Sequence, residues 1–324
     1  MTPIRTATVF AASSVLATAL LLGACSSADD ASTQPSASGV APDRAGYDQP
    51  GTHRQYGRPV QVGNGTVRTY IVLDQKRGGV PLEVGVAMSE SVMEGLPAAA
   101  PATGAAAMQH GEHAKGNPHA NMNVYLLDLP AQNPTPYQFV QFDWNPAGHE
   151  PEGVYDLPHF DFHFYTVPVS VRNAIVPTDP EYAAKAANFP AAEFRAPFYL
   201  DAATPVGIPP ALATVPQMGL HWLDVRSPEL QVIAGHPENY QPFTKTFIYG
   251  SWDGQFIFDE PMITRAYIMS KRDASDPAVR DEVIPVPTAA RYTPAGYYPS
   301  AYRIAWDAQA KEYRVALTQL AWRD

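Results

Sequence analysis

The sequence points to an all-β protein, an antiparallel barrel or sandwich with few short helices. Three observations lead there. Proline accounts for 33 of 324 residues, about 10% against a usual ~5%. Inside a helix it removes a backbone donor and clashes with the preceding turn, so bundles and coiled coils are poor candidates. Seventeen Tyr, thirteen Phe and five Trp suit pleated, half-buried surfaces. Short β-branched and aromatic runs recur along the chain with turn-forming residues between them. Hydrophobic types make up 45% of the residues, enough for a core in one large β domain or two ordinary ones. The formal net charge of −10 argues against a nucleic-acid partner and against attraction to an anionic membrane surface.

The chain opens with Arg5 and an apolar run from Ala7 to Leu22, interrupted by Ser13 and Ser14 and followed by Gly23, Ala24 and Cys25. A charged start, a core too brief to span a bilayer comfortably and small residues at its end form the pattern of an export signal over residues 1–24. Cys25 is the single cysteine, and Leu21 to Cys25 resembles the lipobox of bacterial lipoproteins, which implies acylation at Cys25. An exported chain with one thiol has no disulfide partner, and acylation gives that thiol a use. Several acyl chains anchor stably where one is marginal. The expectation is therefore an exported protein, lipid-anchored at Cys25 on the extracytoplasmic face of a bacterial membrane. An ordinary secretory signal or an uncleaved anchor is the alternative.

Residues 25–57 are rich in Ser, Ala, Asp, Pro and Gly with almost no branched aliphatics, and read as a flexible tether before a β-rich domain over 58–324. Strands are predicted at Val67–Leu73 and Leu82–Ala87, joined as a hairpin, with one helical turn at Ser89–Gly95. Pro97–Asn121 is an Ala-, Gly- and Pro-rich insertion containing His110, His113 and His119. Strands resume at Met122–Leu129, Tyr137–Trp144 and His159–Val167, and Tyr182–Ala187 is the best helix candidate. Further strands fit Gly219–Val225, Thr244–Tyr249, Gln255–Phe258 and Ile263–Met269, with a tight turn at Asp253-Gly254. Ala301–Trp306 and Glu312–Trp322 form a last hairpin, within a candidate C-terminal subdomain over 281–324.

The chemistry concentrates between Asp143 and Tyr165, DWNPAGHEPEGVYDLPHFDFHFY. Alternation puts His159, Asp161 and His163 on one face of a strand and Phe160, Phe162 and Phe164 on the other, where they can enter a core. Neighbours on one face are ~6.6 Å apart and the two histidines ~13 Å apart, so both cannot ligate one ion at ~2.0–2.1 Å. Other strands must complete any site. His163 and His221 with Glu260 are the leading candidates, Asp161 is either a ligand or the acceptor that fixes an imidazole tautomer, and His159 and His149 are further candidates. Two or three imidazoles with a carboxylate suit Zn, Fe or Mn, so the cofactor class is a divalent metal. His53 and His236 look like surface residues, and His110 and His113 like solvated loop. The chain has no G-x-S-x-G, G-x-x-x-x-G-K or H-E-x-x-H motif, so hydrolase, nucleotide and zincin readings lack their signatures.

Five segments resemble a family of uncharacterised exported bacterial proteins known as a domain of unknown function. They are Thr66–Asp74 (TVRTYIVLD), Glu94–Pro97 (EGLP), the G-H-x-P around His149, Pro158–Tyr165 (PHFDFHFY) and Asp259–Thr264 (DEPMIT). The resemblance implies a shared β-rich fold and homo-oligomers, and carries no activity. Two other functions stay open beside metal binding. One is a metal-free module for a small molecule or glycan, with aromatic residues lining its pocket. The other is a structural envelope protein whose exposed aromatics pack against identical subunits.

Overall fold

A computed structural model describes residues 50–98 and 122–324. The signal segment, Cys25, most of the tether, and His110, His113 and His119 lie outside the described residues. Every described element falls within one compact unit, Pro42–Asp324, with its own core.

In chain order the first strands are β1 (Thr52–Tyr56), β2 (Val60–Val62), β3 (Gly65–Asp74), β4 (Val80–Ser89), β5 (Asn123–Asp128), β6 (Phe139–Asn145), β7 (His159–Tyr165) and β8 (Tyr199–Asp201). They are followed by β9 (Thr214–Val215), β10 (Gly219–Asp224), β11 (Lys245–Trp252), β12 (Gln255–Thr264), β13 (Asp281–Pro285), β14 (Gly296–Tyr298), β15 (Ala301–Asp307), β16 (Glu312–Thr318) and β17 (Ala321–Arg323). The helices are short: α1 (Val169–Asn173), α2 (Tyr182–Ala187), α3 (Pro210–Ala213), α4 (Arg265–Asp273) and α5 (Pro277–Arg280). No helix among the described residues is long and apolar enough to cross a membrane.

The strands build two antiparallel sheets. One runs β1-β3-β4-β16-β15-β13 with β2 on β3, the other β5-β6-β7-β12-β11-β10-β8 with β9 on β10, and β14 pairs with β17 apart from both. The sheets form a sandwich and no closed barrel, which resolves the alternative left by composition. Alternating side chains of both sheets meet in one apolar cluster: Val86, Val315 and Ile304 from the first, Phe142, Phe162 and Ile263 from the second. Phe160, Phe162 and Phe164 are fully buried in it, as the alternation in β7 predicts. Burying each such ring contributes roughly 1.5–3 kcal/mol.

Three boundaries differ from the sequence reading. The tether does not extend to Gly57: Thr52–Tyr56 is β1, whose His53 and Gln55 pair with Leu73 and Ile71, because an edge strand needs a ladder partner more than an apolar sequence. Residues 281–324 are no separate subdomain. β16 pairs with β4, Val315 opposite Val86, so the last hairpin completes the first sheet. The strand expected at Ile263–Met269 ends at Thr264, whose hydroxyl accepts from the Tyr267 N–H and starts α4. The helical turn expected at Ser89–Gly95 is a 3₁₀ turn, Glu90–Met93. At the predicted tight turn Asp253 and Gly254 both adopt positive φ, 48° and 77°, as a type I′ hairpin requires.

Candidate functional site

The face of the second sheet turned away from the sandwich core carries the ionisable residues. β6 and β7 alternate apolar residues inward with polar ones outward over Val140–Asn145 and His159–Phe164. β10 and β12 instead present His221 and Glu260 outward beside Leu223, Phe258 and Met262, with Asp259 turned inward to accept from the Tyr137 hydroxyl. The pairing registers then decide which polar residues meet. Asp143 lies opposite Asp161, and Gln141 opposite His163, between β6 and β7. Between β7 and β12, Phe164 faces Asp259 and Asp161 faces Met262, which sets Glu260 across from His163. His221 of β10 is opposite Gly250 of β11, itself opposite Phe258 of β12. A Cβ on Gly250 would lie 2.1 Å from the Phe258 ring, so this glycine lets that ring sit under His163 and His221 at 4.8 and 5.4 Å. Loop 146–158 folds back over the strand, Gly148 at φ 73° approaching the Tyr155 carbonyl, and delivers His149 from above.

Two triads result. In one, His163 Nε2 is 3.3 Å from Glu260 Oε1, and His221 Nε2 is 3.6 Å from Glu260 Oε2. In the other, His159 Nε2 and His149 Nε2 are 3.2 and 3.5 Å from the two oxygens of Asp161. In each triad one donor atom per residue lies within 4.8 Å of the others, so both residue groups can hold a metal ion. Two atoms bound to one tetrahedral ion at 2.0–2.1 Å are about 3.3–3.4 Å apart. The nitrogen–oxygen separations, 3.2–3.6 Å to one or other oxygen of each carboxylate, lie around that spacing.

The site is almost dry. Side-chain exposure is 0% for His159, 1% for His163 and 2% for Asp161 and Glu260. His159 Nε2, Asp161 Oδ1, both ring nitrogens of His163, Asp143 Oδ1 and Glu260 Oε2 are buried with no hydrogen-bond partner. Buried polar atoms are ordinarily satisfied, and an unmet one costs about 1–3 kcal/mol. Their tautomers are nevertheless held. The Nδ1 of His159 lies 2.7 Å from the Leu157 carbonyl and that of His149 2.7 Å from the Glu150 carbonyl, so Nδ1–H donates and Nε2 faces Asp161. Behind His163 stands Asp143, 3.3 Å from Nδ1. Gln141 donates to Asp143 at 2.7 Å and Arg172 of α1 donates to Gln141 at 2.6 Å, while Asn145 donates to Asp161 at 2.7 Å.

Charge completes the picture. Burial, together with His163 and His149, depresses the His221 pKa to about 3, so this imidazole keeps its lone pair. Burial, reinforced by Asp161 and Asp143, pushes Glu260 well above the usual carboxylate range. Burial opposes ionisation of Asp161, but His159 and His149 override it and hold that carboxyl well below its ordinary value. Asp161 in turn raises the pKa of His149 against the effect of burial. The His149–Asp161 contact is thus served by a proton as well as by a cation, whereas His221 and Glu260 combine a neutral imidazole with a carboxyl that lacks a countercharge.

Asp161, His163, His221, Glu260 and His149 all border one cavity of about 1190 Å³. His53 and His236 are exposed, with His236 at the cavity margin beside Glu238. Comparison with protein-family models, curated proteins and solved structures finds no match. The function therefore rests on this geometry alone.

Gln141, Asp143, Asn145 and Arg172 were not among the candidates read from sequence. The period-2 pattern Val140 to Asn145, with polar residues at 141, 143 and 145 alternating with Val140, Phe142 and Trp144, is the available signal for the first three. Arg172 had none, since it reaches the site from a helix outside the sheet.

Proposed function

We propose that the protein is a lipid-anchored extracytoplasmic protein that binds a divalent transition metal at His163, His221 and Glu260. The observation that supports this reading is the convergence of nitrogen and oxygen atoms at ligand spacing, among them both His163 ring nitrogens and Glu260 Oε2, which are buried and make no hydrogen bond. A cation satisfies them together, where separate hydrogen bonds would need separate donors. Two imidazoles and one carboxylate from three strands leave coordination positions open towards the cavity, a donor set suited to Zn, Fe or Mn. His163, His221 and Glu260 would hold the ion, which would supply Lewis-acid chemistry towards an oxygen of a small molecule, while Asp143 orients the His163 ring and Phe258 limits its tilt. The anchor at Cys25 would hold this body at a membrane surface.

The test is metal content and thermal stability. Protein stripped with a chelator, reloaded with Zn, Fe(II) or Mn(II) and dialysed should retain about one equivalent or more, and gain ~2.7 kcal/mol of stability at 100 times the dissociation constant. His221→Ala and Glu260→Gln should each lose at least about tenfold in affinity and most of the metal-dependent rise in melting temperature. Retention below about a tenth of an equivalent of every metal tried would reject the proposal.

A further inference from the structure

The cavity has a second property that metal binding does not require. Its floor is the second sheet, where His163, His221 and Glu260 stand beside Leu223, Ile248 and Met262, and its walls include Met218, Ala211 and Leu230. Its rim is apolar and wet: Leu200 is 43% exposed, Val206 56%, Ile208 39%, Leu212 73% and Ile233 45%, and all five line the cavity. Of the fourteen large apolar residues exposed among the described residues, seven fall between Phe198 and Ile233. Scattered apolar residues need no explanation, but a concentration around one opening marks a binding site.

We propose that this cavity takes a single-chain amphiphile of the fatty-acid type, its chain against the aliphatic walls and its oxygen-bearing head at His163, His221 and Glu260. A volume of about 1190 Å³ exceeds the ~300–1,000 Å³ of ordinary small-molecule sites and suits a flexible chain. A sugar would need free hydroxyl-pairing groups along the walls, where Tyr182, Thr214 and Gln231 already donate to backbone carbonyls and most of the remaining lining is apolar. A flat protein partner could cover the rim but could not reach His163, which is 1% exposed. Arg226 also lines the cavity, yet Asp224 holds its guanidinium at 2.6 and 2.9 Å, which leaves the floor as the place for the head. Only the head-group contact rests on the metal reading; the chain contact does not.

The test uses the chain from Pro42 onward, which contains both sheets and the core, titrated calorimetrically with octanoate, decanoate, dodecanoate and 1-dodecanol below micelle-forming concentrations, in metal-free and Zn-loaded form. Affinity should rise about three- to fourfold per added methylene until the cavity is filled, in both forms. Zn should favour dodecanoate over 1-dodecanol by about tenfold, since the open position takes an anionic oxygen. Leu212→Asp with Ile233→Asp should weaken dodecanoate at least about tenfold while metal content stays unchanged. A chain-length dependence that persists without any metal binding would sustain the amphiphile and overturn the metal. Equal affinity for octanoate and dodecanoate in a protein that still holds metal would overturn the amphiphile alone.

Discussion

His163 shows how one side chain acquires a role from its surroundings. Its ring lies between two carboxylates, Asp143 at Nδ1 and Glu260 at Nε2, both 3.3 Å away, with Phe258 at 4.8 Å limiting its tilt. Neither carboxylate is its neighbour in sequence, so an H-x-D-x-H motif alone does not say which nitrogen is available. His149 depends on a backbone feature instead. Gly148 holds φ 73°, and a Cβ there would lie 2.2 Å from the Tyr155 carbonyl oxygen. Gly148→Ala combines a strained left-handed backbone with a backbone clash, and should lower stability by about 2–3 kcal/mol in denaturant unfolding. It should also displace His149, while metal bound by His163, His221 and Glu260 remains. A variant as stable as wild type would show that loop 146–158 does not fold back as described.

Among the elements, β7 is both a core strand and the centre of the site. Its three phenylalanines fix it against the first sheet, and the same period of two then commits His159, Asp161 and His163 to the other face. That division was legible in the sequence because alternation is a local property. The end of β12 was not: Ile263–Met269 has strand-forming residues, yet the Thr264 cap turns the chain into α4. The helix is then tied to β13 by Lys271, whose side chain is 1% exposed and whose ammonium is 2.6 Å from Glu282, and by the Tyr267 hydroxyl donating to the same carboxylate. Burial works against the Glu282 charge, but Lys271 and Tyr267 outweigh it and hold its pKa below the ordinary 4.5. A carboxylate with a depressed folded pKa contributes stability above its unfolded pKa and loses it as pH falls through the folded one. Glu282→Gln should therefore destabilise by about 2 kcal/mol near pH 7, leaving Lys271 buried without countercharge. The difference from wild type should shrink as pH falls below 4.5. A gap that stays constant from pH 7 to pH 3 would mean that the ion pair does not stabilise α4.

For the molecule as a whole, the sandwich separates two tasks. The space between the sheets holds the apolar core, and the outer face of the second sheet, roofed by the segments between its strands, holds a charged floor beneath an apolar opening. Buried carboxyls are tolerable there through neighbouring imidazoles and amide donors, as Asp161 has in His149, His159 and Asn145. The proposed anchor is testable independently of the site. Cells expressing the protein and supplied with a labelled fatty acid should incorporate label into it, and Cys25→Ser should abolish the label and release the protein from the membrane fraction. Unchanged labelling of the variant would place the acyl chains elsewhere or refute the lipobox reading.

Composition and local pattern sufficed for the β architecture, for most strands, for the inward phenylalanines and for the residue types able to hold a metal. These follow from proline content, side-chain alternation and turn chemistry, each of which acts over a few residues. They could not say that Thr52–Tyr56 belongs to a sheet, that residues 281–324 close one, or that His159 and His163 fall in different triads. Those outcomes depend on which strand pairs with which and in what register. His221 meets Glu260 only because β10, β11 and β12 lie side by side with Gly250 between His221 and Phe258, and no local pattern encodes a contact between residues 39 positions apart.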